Sequence, residues 1–452
     1  MNMLIFRPLV VVIGVSTLGC GNAPSHTTGQ QELASVAALP NNNLDILFVM
    51  DSSASMVEEQ ILLAQNFPRF MQQLEALPGG LPNVHIGVVT PDLGTMGGLP
   101  AAGCSTFGDG GALLLQGFAT TDAKPFLSNI ADASNLAVRN TNYNGNLTTA
   151  FAQLARVGSN GCGFEQPLEA MKRALTATNI TNVGFLRDDA KLAIVIVTDE
   201  DDCSVPGPDF FSSNPALGPL DSYRCFTQGV ICDDDSLDPQ RAGERSNCRP
   251  RPNAVYQTEV TAYTDFLIAR KGDERNVMVA GVIAPTLSSV SVDHDDLNQE
   301  HPTRLAAACE RTFDGMISRA DPAIRLTSFL NSFPGRTQTA SICDADYGTV
   351  LTTLGASAAR LIDAACLEQA PRLDGNGQPL CDVVQLSARS ATGSRTEQRL
   401  KACNGSSDET CYRFVEDATR CAAQPSQWRL EVQRTRTATT QDYVVARCSL
   451  AE

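Results

Sequence analysis

Residues 44–50 read Leu44-Asp45-Ile46-Leu47-Phe48-Val49-Met50, and Asp51-Ser52-Ser53-Ala54-Ser55 follows at once. The first seven are almost continuously apolar, the pattern of a strand covered on both faces in a parallel sheet. Outward from there, 55–77 carries Ile61, Leu62, Phe67, Phe70, Met71, Leu74 and Leu77 mostly on one stripe, which predicts a helix, with Pro68 expected to kink it. Apolar, β-branched runs at 84–90, 191–198 and 277–283 predict further strands, the last two central or buried in the sheet, and 337–342 predicts another. Ranges 147–156, 165–178, 254–271, 323–333 and 347–365 predict helices, and 112–118 a short antiparallel edge strand. Strands alternating with helices predict an α/β fold: a doubly wound, mostly parallel sheet with helices on both faces.

Two stretches interrupt the alternation. Residues 201–252 form an insertion with Cys203, Cys225, Cys232 and Cys248, and loops of that length are usually functional or stapled. Residues 366–452 hold six more cysteines and alternate weakly, predicting a small, disulfide-stapled, β-rich module. The chain has 15 Cys in all and no Cys-x-x-Cys. Setting Cys20 aside leaves an even set, read as about seven disulfides formed in an oxidising compartment.

Residues 1–19 have the features of a targeting segment. Arg7 precedes an apolar run too short to span a bilayer, which ends in Ser16-Thr17-Leu18-Gly19-Cys20. This resembles the bacterial lipobox and implies cleavage before Cys20 and its acylation, a membrane anchor without a spanning helix. Gly21, where Asp would resemble an inner-membrane retention signal, favours the outer membrane. Residues 20–43, rich in Ser, Thr, Gly, Gln and Asn, read as a flexible tether. The net charge of -16 argues against nucleic acid and against broad contact with anionic lipid; most of it reads as solvated surface.

Asp51, Ser53 and Ser55 leave the first strand at its carboxyl end, where open α/β sheets bind ligands. Oxygen donors at alternate positions suit a hard divalent cation, Mg²⁺, Mn²⁺ or Ca²⁺. The competing reading is a helix N-cap and turn, in which the same oxygens accept free N–H groups. Strand and motif together resemble the von Willebrand factor A (VWA) family, over roughly residues 44–365. The resemblance implies a metal site beginning Asp-x-Ser-x-Ser, hence Asp51, Ser53 and Ser55. A further Asp closing a later strand maps to Asp199 in Thr198-Asp199-Glu200, with Glu200 where the family has Gly. The family's Thr ligand has no Thr at the matching place, Gly161-Cys162-Gly163-Phe164-Glu165-Gln166. Glu165 takes that place, and Thr148, Thr149 and Ser159 are alternative donors. The chain also resembles VWA-containing lipoproteins of myxobacteria, which share motifs like 161–165 and 197–204; this implies location but no activity.

No zinc-protease helix, nucleophile elbow or phosphate loop is present, and the four His (His26, His85, His294, His301) sit in no nucleophile–base pattern, so no catalysis is expected. Acidic runs at 233–235 and 293–296 lack EF-hand spacing and read as solvated loops. Together, the lipobox and VWA resemblances imply a lipid-anchored envelope protein whose cation takes an Asp or Glu side chain of a protein ligand, rimmed by loops 91–111, 120–146 and 201–252. The alternative is an envelope scaffold with a closed, structural metal; a hydrolase has less support.

Overall fold

A computed structural model describes residues 30–37, 41–233, 241–287, 289–294, 303–313, 316–390, 394–404, 410–421, 424–434 and 442–451. Cys20, His26, His301, Asp234, Asp235, Asp295 and Asp296 lie outside them.

In chain order, β1 (Gln30–Ala37), β2 (Asn43–Met50), α1 (Val57–Glu75), β3 (Asn83–Val89), β4 (Leu127–Ala131), β5 (Arg139–Thr141), α2 (Leu147–Leu154), α3 (Pro167–Leu175) and β6 (Lys191–Val197) come first. The insertion contributes α4 (Tyr223–Gly229), β7 (Val230–Ile231), β8 (Gly243–Ser246) and β9 (Arg249–Pro250). Then come α5 (Val260–Lys271), β10 (Val277–Ile283), β11 (Ser289–His294), β12 (Thr303–Leu305), the hairpin β13 (Cys309–Phe313) and β14 (Met316–Ala320), α6 (Ile324–Asn331), β15 (Thr337–Ser341) and α7 (Tyr347–Ile362). The last module holds β16 (Cys381–Leu386), β17 (Glu397–Arg399), β18 (Lys401–Ala402), β19 (Cys411–Glu416), β20 (Trp428–Gln433) and β21 (Tyr443–Ser449).

The central sheet has seven strands in the order β15-β10-β6-β2-β3-β4-β5. The first five are mutually parallel, and β4 and β5 add antiparallel pairs at one edge. This is an α/β fold with a mixed sheet. Every residue of β6 and β10 is buried, which accounts for their unbroken apolar sequences. Helices contact one another in two sets, α1 with α2 and α7, and α5 with α3 and α6. Phe48 of β2 meets Phe67 and Phe70 of α1 edge-on and lies 4.7 Å from Phe151 of α2, so Phe48→Ala would cost about 3–5 kcal/mol. Among the described residues no helix is long and apolar enough to cross a membrane.

All seven disulfides join cysteines close in the fold. Cys203–Cys225 and Cys232–Cys248 staple the insertion. Cys366–Cys421, Cys381–Cys448 and Cys403–Cys411 staple the last module.

Three expectations are corrected. Residues 30–37, read as tether, form β1, an edge strand antiparallel to β21 from Gln30↔Ser449 to Ala37↔Tyr443. Leu33 and Ala34 are buried there, so the module is built from both ends of the chain. Residues 112–118 form no strand: Gly111, Gln116 and Gly117 have positive φ, and only Leu114 N–H bonds to Val88 C=O, at 2.9 Å. The edge partner of β3 is β4 instead. The helix predicted from 254 begins at Val260. The Gln257 side-chain amide donates to Cys225 C=O and the Thr258 N–H to Ser204 C=O, tying this stretch to the insertion. α1 runs from Val57 to Glu75 with Pro68 inside it.

Candidate metal centre

β2 and β6 are adjacent and parallel, with Met50 opposite Val197. That register sets the residues just past the two strand ends, Asp51 and Thr198, side by side. Asp51 N–H donates to Val197 C=O at 3.0 Å, continuing the ladder past β2. The Thr198 hydroxyl donates to Asp51 Oδ2 at 2.6 Å, and Ser53 N–H to Asp51 Oδ1 at 2.7 Å. Asp51 is thereby fixed from both sides, and each oxygen keeps a further lone pair.

Ser53 and Ser55 hydroxyls stand 3.0 Å apart. Neither the 3₁₀ turn Ala54–Met56 nor α1 has a side-chain N-cap bond, so these hydroxyls are not used as caps. Ser55 is within hydrogen-bonding reach of the Asp199 carboxyl. The loop holding Glu165 is tied to the same turn, because Gly161 N–H donates to Ser52 C=O at 2.8 Å. A Cβ at Gly161 would lie 2.2 Å from Ser52 Oγ, so the approach requires glycine. Cys104–Cys162 joins this loop to the 91–111 loop, and Cys203 N–H donates to Glu165 C=O at 2.8 Å.

Asp51, Ser53, Ser55, Asp199 and Glu165 are thus brought to one edge. Thr148 and Thr149 are not brought there by any recorded contact: both bond to Asn146, which caps α2. Three participants were not singled out from sequence. Thr198 orients Asp51, and its place in the ladder is visible only once β2 and β6 are known to be neighbours. Glu200 faces Glu165, close enough to hydrogen-bond if one of the two carries a proton. Gln60 of α1 donates to Asp51 C=O at 2.9 Å and Gly158 C=O at 2.8 Å, joining helix, turn and loop. Asp201 and Asp202 are used differently from a surface pair. Asp201 accepts the N–H groups of Arg325 and Leu326 at the start of α6, and Asp202 forms a buried ion pair with Arg325 at 2.9 Å.

Asp51, Asp199 and Glu165 are all buried, at 1%, 3% and 1% exposure. Burial, reinforced by Asp51 and Glu200, pushes the Asp199 carboxyl up to about 8. Burial, then Glu200 and Asp51, holds Glu165 well above the usual carboxylate range. Burial raises Asp51 as well, against the Thr198 and Ser53 bonds. Among the described residues no Lys, Arg or His forms an ion pair with Asp51, Glu165, Asp199 or Glu200. Asp199 Oδ1 and both Glu165 carboxyl oxygens are buried without any hydrogen-bond donor. Such orphaned acceptors cost about 1–3 kcal/mol each, and a divalent cation would satisfy them, so the donor set fits a hard ion. Among the described residues no group of three or more His, Cys, Asp or Glu is placed to hold a metal ion. Beside Glu200 opens a cavity of about 350 Å³, walled by Leu220, Tyr223 and Phe226 of the insertion and by Asp321 and Arg304.

His85 is packed against Phe126 with ring centroids 4.7 Å apart, and its Nδ1 meets Phe185 C=O at 2.8 Å. Residues 374–377 form a tight turn, Gly377 N–H donating to Asp374 C=O at 3.0 Å.

No protein-family model and no curated protein matches the chain. Among solved structures, the pilus adhesin SpaC from Lactobacillus rhamnosus GG is similar at 12% identity and a TM-score of 0.30, over 93% of this chain and 39% of that one. A von Willebrand factor type A protein from Catenulispora acidiphila is similar at 12% identity and a TM-score of 0.25, over 95% and 68%. An adhesive tip pilin from Group B Streptococcus agalactiae is similar at 11% identity and a TM-score of 0.27, over 93% and 81%. The chain thus spans about two fifths of the length of the first of these, and likenesses at these TM-scores carry no argument about function.

Proposed function

We propose that this chain is a lipid-anchored envelope protein that captures protein ligands through a divalent cation at the carboxyl edge of a doubly wound, VWA-like sheet. Asp51, Ser53, Ser55, Asp199 and Glu165 would hold the cation, Mg²⁺, Mn²⁺ or Ca²⁺. The cation would supply Lewis acidity for an Asp or Glu side chain of the partner. Cys20 would carry the acyl anchor, on the outer membrane. The observation that carries this reading is the set of buried carboxyl oxygens, Asp199 Oδ1 and both of Glu165, that have no hydrogen-bond partner and, among the described residues, no ion pair. Thr198 and Ser53 would keep Asp51 aimed at the ion, while the stapled loops 91–111 and 201–252 would present a surface with little ordering left to lose on binding.

A second reading is favoured by the Glu165–Glu200 contact. Extra carboxylate around the ion weakens its pull on an external carboxylate, which would make the metal structural and the protein an envelope scaffold. The two readings part in one experiment: capture of envelope proteins by the full chain with Mn²⁺ and with EDTA, run beside thermal melting. Metal-dependent capture supports the binder. Metal-dependent melting with unchanged capture supports the scaffold. If neither responds to metal, both fall. Palmitate labelling that survives Cys20→Ala would remove the anchor.

A further inference from the structure

A cavity of about 1230 Å³ lies at the opposite, amino edge of the central sheet, between the sheet and the last module. One wall is made by the starts of β6 and β15 and the end of α7, the other by β1, β19 and β20. Six arginines and Lys191 line it, against four carboxylates, Glu32, Asp363, Glu368 and Glu431. A cationic surplus in a recess of a chain whose net charge is -16 is the reverse of what its composition dictates, and a recess focuses the field of the charges that line it.

The pairings show where the surplus sits. Arg336 and Arg275 share Glu32, at 2.8 Å and 2.6 Å, and Arg275 also pairs with Asp273 and Glu274 behind the wall. Arg420 is 3.4 Å from Asp363, and Arg413 and Arg429 flank Glu431, Arg429 pairing with Asp417 as well. Arg360, in the last turn of α7, feels the Glu368 carboxyl but forms no close ion pair among the described residues; its one bond goes to Ser357 Oγ in its own helix, at 2.9 Å. As a basic residue in that last turn it offsets the partial negative charge of the helix end, which would otherwise repel an anion. On the same wall the Thr337 hydroxyl oxygen is buried with no hydrogen-bond partner. Arg413, on the facing wall, leaves 68% of its side chain exposed.

We propose that this cleft is an anion-binding site for a small multivalent ligand carrying carboxylate or phosphate groups, with Arg360 as its principal contact. Guanidinium groups bind both anions in bidentate fashion. Cations on facing walls call for more than one negative group on the ligand, and the volume exceeds that of a typical small-molecule site of about 300–1,000 Å³. Arg360 and Thr337 would meet one end of the ligand and Arg413 the other. The site is separate from the metal edge and does not depend on it.

The test is calorimetric titration of the full chain, freed of metal on a chelating resin, in low salt, with tricarballylate and, in a second arm, inorganic phosphate. Stripping the metal beforehand removes any contribution from the opposite edge and leaves no soluble chelator to compete for the cleft. Tricarballylate is expected to bind saturably, with affinity falling as salt rises. Arg360→Gln should weaken it about tenfold or more, as loss of a charge-assisted bond does, and Arg413→Gln by a smaller factor. Arg249→Gln, on the exposed surface of the insertion, should change nothing, and all three variants should melt with the wild type. Phosphate binding alone, weakened by Arg360→Gln, would assign the site to phosphate rather than carboxylate. No saturable binding of either probe, or binding that Arg360→Gln and Arg413→Gln leave intact, would overturn the proposal.

Discussion

The two ends of β2 and β6 treat buried charge in opposite ways. At the amino end, Asp45 is fully buried, yet Arg187 gives it a backbone N–H at 2.7 Å, Nε at 2.8 Å and a second guanidinium nitrogen at 2.7 Å. Lys191, on β6, donates to Arg275 C=O and Asn276 Oδ1 and meets the Tyr443 hydroxyl. At the carboxyl end, a few residues along the same strands, Asp51, Asp199, Glu165 and Glu200 gather with no cationic side chain. At Asp45 and Lys191 the amino ends of the two strands satisfy their buried charge with the protein's own residues. The carboxyl edge is chemically incomplete, and what it lacks is positive charge.

The sharpest way to break this comparison is to undo the amino edge. Arg187→Ala leaves Asp45 as an uncompensated buried carboxyl, expected to cost about 3–5 kcal/mol in urea unfolding, with no recovery in Mg²⁺ or Mn²⁺. A loss under about 1 kcal/mol, or rescue by metal, would erase the distinction. Next in size is the metal itself. At a hundred times its dissociation constant, a divalent ion should stabilise the wild type by about 2.7 kcal/mol; EDTA should reverse the effect and Asp51→Ala abolish it.

Asp199→Asn should act in two directions. By replacing a carboxyl crowded by Asp51 and Glu200, it should stabilise the metal-free protein by about 1 kcal/mol, within the range for an orphaned buried acceptor. It should also remove the metal-dependent gain. A variant that is simply less stable would show Asp199 to be structural.

The smallest effect concerns pH at the amino edge. Burial lowers His85 to about 4 and raises Asp45, 3.7 Å away, to about 6. His85 is below its unfolded value of about 6.5, so its contribution is present above pH 6.5 and is lost as pH falls toward 4. Asp45 is above its unfolded value of about 3.9, so its contribution is present at low pH and is lost as pH rises through about 6. Between pH 4 and 6 the two oppose, so they leave the wild type nearly flat. His85→Gln should therefore gain stability on acidification over that range, by at most about 1.4 kcal/mol per pH unit. Parallel profiles for wild type and variant would contradict this.

The central sheet was legible because strands buried on both faces are continuously apolar; the run at 277–283 coincides with β10. β1 was not legible. Its sequence, QQELASVA, is polar in composition, and its partner β21 lies at the far end of the chain, so nothing local signals the pairing. Asp51, Ser53 and Ser55 could be read as a group because they are sequence neighbours on one turn. The roles of Thr198 and Glu200 depend on the β2–β6 register and on the loop tied by Gly161, which are facts of tertiary structure. Gln116 shows the converse failure: a positive φ at a non-glycine residue ended an apparent strand that its apolar neighbours suggested.

The central claim is that the carboxyl edge is completed by a divalent cation. Its most direct test is anomalous diffraction from crystals of the full chain soaked in Mn²⁺. The account predicts one strong peak bounded by Asp51, Ser53, Ser55, Asp199 and Glu165, absent from Asp51→Ala crystals. Saturating Mn²⁺ with no peak there, or a peak that persists without the Asp51 carboxylate, would contradict it.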